Sequence, residues 1–103
     1  MKVNYSTEKV KNLCEDLRIA KKFFNGNTLL ANSLMARINA LKQADTIKDI
    51  IVQPAFHFHK LINKHGRDLE GYFAIDVKSR REQWRIIIEP LDENEQTYNP
   101  CNI

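Results

Sequence analysis

The chain has 103 residues, of which 43% are hydrophobic and 28% charged, with a net charge of +3. That is enough chain for one domain and one core, covering residues 1–103, without a staple of disulfides or metal. The composition excludes a disordered tail, and no apolar run is long enough to span a membrane.

The start, Met1-Lys2-Val3-Asn4-Tyr5, leads into polar sequence and does not resemble a signal peptide. Cys14 and Cys101 lie far apart and outside any zinc-binding spacing, so they read as reduced thiols of a cytoplasmic protein. The sequence pI of about 9.0 is mildly basic. The positive charge is concentrated in the second half. Residues 57–67 hold Lys60, Lys64, Arg67 and three histidines with no acid, and residues 78–85 hold Lys78, Arg80, Arg81 and Arg85 against Glu82 alone. Clustering of this kind suits a polyanionic partner, although solvated surfaces carry it too.

Ser6 or Thr7 is placed to cap a first helix, with Glu8 in its first turn. Val10, Leu13, Leu17, Ala20 and Phe24 follow at intervals of three or four, which predicts one continuous amphipathic helix. Asn25-Gly26-Asn27 ends it. Asn27 or Thr28 can cap a second helix with the stripe Leu30, Leu34, Ile38 and Leu41, and the short turn predicts an antiparallel hairpin. Asp45 or Thr46 can cap one further turn through Ile51, and Pro54 closes the helical region.

From Ala55 the period changes to two. Three strands are predicted, within Phe56–Leu61, Tyr72–Val77 and Trp84–Glu89, and their short connections imply an antiparallel meander. The expected fold class is therefore α+β, with two N-terminal helices on one face of an antiparallel sheet. Alternation sorts the strands. Phe56, Phe58, Phe73, Ile75, Val77, Trp84, Ile86 and Ile88 should face inward. His57, His59, Tyr72, Ala74, Asp76, Arg85, Ile87 and Glu89 should face outward, bordered by Lys60 and the basic turn.

That outward set suits phosphodiester chemistry. Cations bind phosphate and offset transition-state charge. Histidine exchanges protons near neutral pH, and tyrosine donates a proton or stacks on a base. RNA brings its own nucleophile, the 2′-hydroxyl, so no metal or other cofactor is expected. An ordinary solvated sheet face is the competing reading.

Several short segments resemble the RelE/ParE superfamily of bacterial toxins, and within it the HigB-like proteins. They are Lys21-Lys22-Phe23-Phe24, Arg37-Ile38-Asn39-Ala40-Leu41, Asp45-Thr46-Ile47-Lys48-Asp49-Ile50, His59-Lys60-Leu61, Gly71-Tyr72-Phe73-Ala74-Ile75 and Trp84-Arg85-Ile86-Ile87. The resemblance implies a RelE-like fold and a ribosome-dependent mRNA endonuclease, the toxin of a type II toxin–antitoxin pair. It implies His59 as an acid/base candidate, to which alternation adds His57, Arg85 as the phosphate-binding cation, and Tyr98 as a match to the tyrosine of the family's last strand. Lys60, Lys64, Arg67, Tyr72, Lys78, Arg80 and Arg81 become RNA-contact candidates. The expected partners are ribosome, mRNA and a helix-turn-helix antitoxin, in a homodimer or a toxin–antitoxin heterotetramer, with no membrane involved.

The chain departs from the pattern at its end. Residues 94–103 offer Tyr98 and Pro100 and then stop, so the last strand is expected to be incomplete. Two other readings follow: a ParE-like inhibitor of DNA gyrase, which needs no acid/base pair, and a non-catalytic binding member of the fold. Because His59 and Arg85 are expected to point away from the core, alanine at either should abolish cleavage and leave the fold intact.

Overall fold

The structure is a computed structural model, and it describes residues 1–61, 71–79, 81–92 and 94. It is α+β, with helices first and a three-stranded antiparallel sheet after them. The chain divides into two compact units, Met1–Thr46 and Ile47–Ile103.

The first unit holds three helices: α1 (Glu8–Glu15), α2 (Leu17–Phe23) and α3 (Thr28–Gln43). The predicted first helix is thus two. Asp16 breaks it by taking an extended conformation, φ −122° and ψ 112°. Its amide still donates to the Asn12 carbonyl and closes α1, while its carboxylate accepts from the Arg18 amide at 2.9 Å and opens α2. A short side chain that can bond its own neighbouring backbone competes with helix continuation in this way. The break shifts the phase of the apolar stripe. Cys14, Ala20 and Phe24 are buried, whereas Val10 and Leu17, expected in the stripe, are exposed.

The other helix ends follow their local chemistry. Thr7 Oγ1 accepts from the Val10 amide at 3.1 Å and caps α1. After α2, the Gly26 amide donates back to the Lys21 carbonyl and the Asn25 amide to that of Lys22. This paired closure requires a left-handed residue after the cap. Asn25 supplies it at φ 54°, and Gly26 continues at φ 84°, where an L side chain would be strained. Asn27 Oδ1 then accepts from Leu30 and starts α3. A turn this short folds α3 back along α2, and α1 packs against both. Leu30, Ala31, Leu34, Ile38 and Leu41 are all buried, so the α3 stripe is as the spacing predicts.

The polar residues of this unit pair at the surface. The carboxylate of Glu15, at the end of α1, meets Lys42 in the last turn of α3 at 2.7 Å and accepts from the Tyr5 hydroxyl at 2.9 Å. The bond from Lys42 holds the Glu15 carboxyl below its ordinary range, and the same bond raises Lys42. Burial and the bond to Glu15 push Tyr5 up, and burial does the same to the free thiol of Cys14. Cys101 lies outside the described residues.

The second unit begins with a single turn, α4 (Lys48–Ile51), whose cap position is Ile47, one residue beyond the expected Asp45 or Thr46. Pro54 does not end helical structure here. It opens a 3-10 turn, α5 (Pro54–Phe56), because its missing N–H costs nothing at a first position. The first strand shrinks accordingly to β1 (His59–Lys60), followed by β2 (Phe73–Asp76) and β3 (Arg85–Ile88) in the order β1-β2-β3. Among the described residues, no helix is long and apolar enough to cross a membrane.

Register fixes the faces. His59 pairs with Ala74 and Lys60 with Phe73; Ala74 pairs with Ile87, and Asp76 with Arg85. Residues directly opposite share a face, so His59, Ala74, Asp76, Arg85 and Ile87 lie together, as alternation predicts. Phe73, Ile75, Ile86 and Ile88 occupy the other face, where Phe58 stacks on Phe73 with centroids 5.0 Å apart. One expectation fails. Every residue of β2 is buried, including Ala74 and Asp76, so the face predicted to be open is covered along its central strand.

Candidate functional site

The covering of that face is itself the candidate site. Asp76 is 1% exposed, and a buried carboxylate is tolerable only with partners that offset its desolvation. Arg85, opposite it on β3, places Nε 3.0 Å from Asp76 Oδ1. His57 places Nδ1 3.3 Å from the same oxygen. Arg85 Nη1 also donates to the backbone carbonyls of Trp84, at 2.8 Å, and Glu82. The guanidinium therefore anchors the β2–β3 turn as well as the carboxylate.

His57 reaches Asp76 although it is not in a strand, because the pairing of His59 with Ala74 and Lys60 with Phe73, continued two residues back, sets His57 opposite Asp76. It follows the 3-10 turn in the left-handed conformation, φ 49°, a position non-glycine residues seldom occupy. A regular strand from Phe56 to Lys60 would hold His57 in extended backbone. Instead the chain hooks, and the two imidazoles stack, with centroids 4.5 Å apart and 30° between planes. His59 Nδ1 lies 2.7 Å from the His57 carbonyl. His57 and His59 are both part-exposed, as is Arg85.

Of the expected site residues, His57, His59 and Arg85 are thus brought together, with Asp76 beneath them. Lys60 is exposed but shares a register position with Phe73, on the opposite face from Arg85, so it does not border the histidines as expected. Lys78 lies in the β2–β3 turn, 3.7 Å from Glu82, and Arg81 is exposed in the same turn. Tyr72 is half-buried, and its carbonyl accepts from the Leu61 amide at 3.1 Å, extending the β1–β2 pairing. Lys64, Arg67, Arg80 and Tyr98 lie outside the described residues. Among the described residues, no group of three or more His, Cys, Asp or Glu side chains could hold a metal ion.

The residue that alternation alone undervalued is Asp76. Alternation places it on the outward face as one polar group among several, yet it is the hub of the cluster. The signal was available: an eight-residue connection closing on itself sets an acid opposite an arginine across a hairpin, and opposite charges facing one another mark a pair.

No protein-family model, curated protein or solved structure matches the chain.

Proposed function

We propose that the chain is a HigB-like toxin of the RelE/ParE superfamily, a cytoplasmic type II toxin that cuts mRNA on the ribosome and is held inactive by a helix-turn-helix antitoxin. The observation that carries the chemistry is the stacked His57/His59 pair beside Arg85. Two imidazoles side by side can divide the work of RNA transesterification. One accepts the proton of the 2′-hydroxyl, and the other returns a proton to the departing 5′-oxygen. Arg85 contributes positive charge at the edge of this pair. Lys60, Lys78 and Arg81 are the described candidates for backbone contact.

Arg85→Ala does not separate cleavage from folding as expected, since Arg85 pairs with a buried carboxylate. His59→Ala is the cleaner variant, because the partner it loses is a backbone carbonyl near the surface. Purified protein acting on programmed ribosomes should cut mRNA, and His59→Ala should slow cutting by about 10²- to 10⁴-fold. Cleavage at the wild-type rate by both His59→Ala and His57→Ala would remove the acid/base assignment. A second reading, a non-catalytic binding protein, is favoured by the internal engagement of Arg85 with Asp76, Glu82 and Trp84. Intact mRNA and normal growth after induced expression would select it. Nicked or linear DNA with intact mRNA would select gyrase inhibition.

A further inference from the structure

We propose that Asp76, which touches no substrate in the reaction above, is a positioning residue that fixes the tautomer of His57, so that both imidazoles present Nε2 outward. The argument begins with donors and acceptors. A backbone carbonyl only accepts, so His59 Nδ1, 2.7 Å from the His57 carbonyl, must carry its ring proton. Arg85 Nε, 3.0 Å from Asp76 Oδ1, can only donate, so that oxygen acts as an acceptor. His57 Nδ1, 3.3 Å from the same oxygen, must then donate as well.

Each ring therefore turns its Nδ1–H inward and carries its lone pair on Nε2, at the opposite edge. Neither Nε2 has a partner among the described residues. A histidine whose inner N–H is held by a carboxylate or a carbonyl has its orientation and tautomer set from behind. Here two neighbouring histidines are held in that way, one by each kind of acceptor, and their rings stack with centroids 4.5 Å apart.

For the reaction, which rests on the RNA-cleaving reading, the arrangement gives a balanced step. One neutral Nε2 takes the 2′-hydroxyl proton as that oxygen bonds to phosphorus. The bond from phosphorus to the 5′-oxygen breaks, and the second ring, entering as imidazolium, delivers its Nε2 proton to that oxygen. The products are a 2′,3′-cyclic phosphate and a 5′-hydroxyl, with one proton gained and one given.

The tautomers can be read without any activity. Long-range ¹⁵N–¹H correlation of the full-length chain at about pH 9, above the ordinary imidazole range, should show His57 and His59 protonated on Nδ1, with His65 identified by its own substitution. In Asp76→Leu/Arg85→Met, which leaves no unpaired buried charge, His57 should move to the Nε2–H form while His59 does not move. In Asp76→Asn, which retains an oxygen acceptor, His57 should stay protonated on Nδ1. A wild-type His57 protonated on Nε2, or one indifferent to the double substitution, overturns the positioning role whatever the chain does to RNA. Both rings protonated on Nδ1 together with uncut ribosome-bound mRNA upholds the positioning and overturns the reaction built on it.

Discussion

The two units solve the same problem, keeping polar groups satisfied, in opposite ways. In the helical unit the buried residues are apolar, and the charged ones pair at the surface: Glu15 with Lys42 is more than a third exposed on both sides. In the sheet unit a carboxylate sits at the end of the buried strand and is held by side chains from different elements. A surface pair contributes little to its unit, whereas removing one member of a buried pair leaves an uncompensated charge inside the protein. The sheet unit also places its cost where chemistry is expected, with a left-handed His57 and a buried charge within one cluster.

The comparison is broken most directly at Arg85. Arg85→Ala removes the guanidinium that offsets the buried Asp76 carboxylate, and should cost about 4 kcal/mol of stability in urea unfolding. Asp76→Leu/Arg85→Met should recover most of that loss, because an apolar pair of similar volume leaves no charge to desolvate. A small effect of Arg85→Ala would mean that the pair is no more important than the one at the helical surface. In the helical unit the corresponding large effect is a cavity. Leu34→Ala, in the middle of the α3 stripe, should cost about 3 kcal/mol. Amide exchange on both variants reads whether each loss is felt in its own unit first.

The same contrast explains what was legible. The α3 stripe of Leu30, Leu34, Ile38 and Leu41 is a local periodicity, and burial follows it residue for residue. Alternation likewise assigned His59, Asp76 and Arg85 to one face, and register agrees. The failures come where one residue had a choice that periodicity does not encode. Asp16 fits a helix as well as it fits a cap, and its bond to the Arg18 amide decides for the cap. Phe56-His57-Phe58-His59 alternates like a strand, but Pro54 two residues earlier starts a 3-10 turn, and the chain leaves it through a left-handed His57. Asp76 is polar at an alternating position and reads as exposed, while its burial depends on Arg85 and on a histidine delivered by that irregular turn. The pairing of His57 with Asp76 matches the continued β1–β2 register, but the left-handed turn by which His57 arrives there is not encoded in alternation.

The smallest expected effect lies at the surface pair, and pH gives it a sign. Glu15 is held below its ordinary range by the bond from Lys42, so folding gains from its ionised form above the ordinary carboxylate value and loses that gain as pH falls through the lowered one. Lys42 is raised by the same bond, so its contribution is complete below the ordinary amine value and is lost only as pH rises through the raised one. Both contributions are present at neutral pH. Glu15→Gln should therefore flatten the acid limb of the stability profile, leave the site cluster unchanged, and move the unfolding midpoint less than either preceding variant does, with the difference shrinking further in high salt. An effect rivalling Arg85→Ala would mean that the helical unit, too, depends on a specific charge pair, and the contrast between the units would be lost.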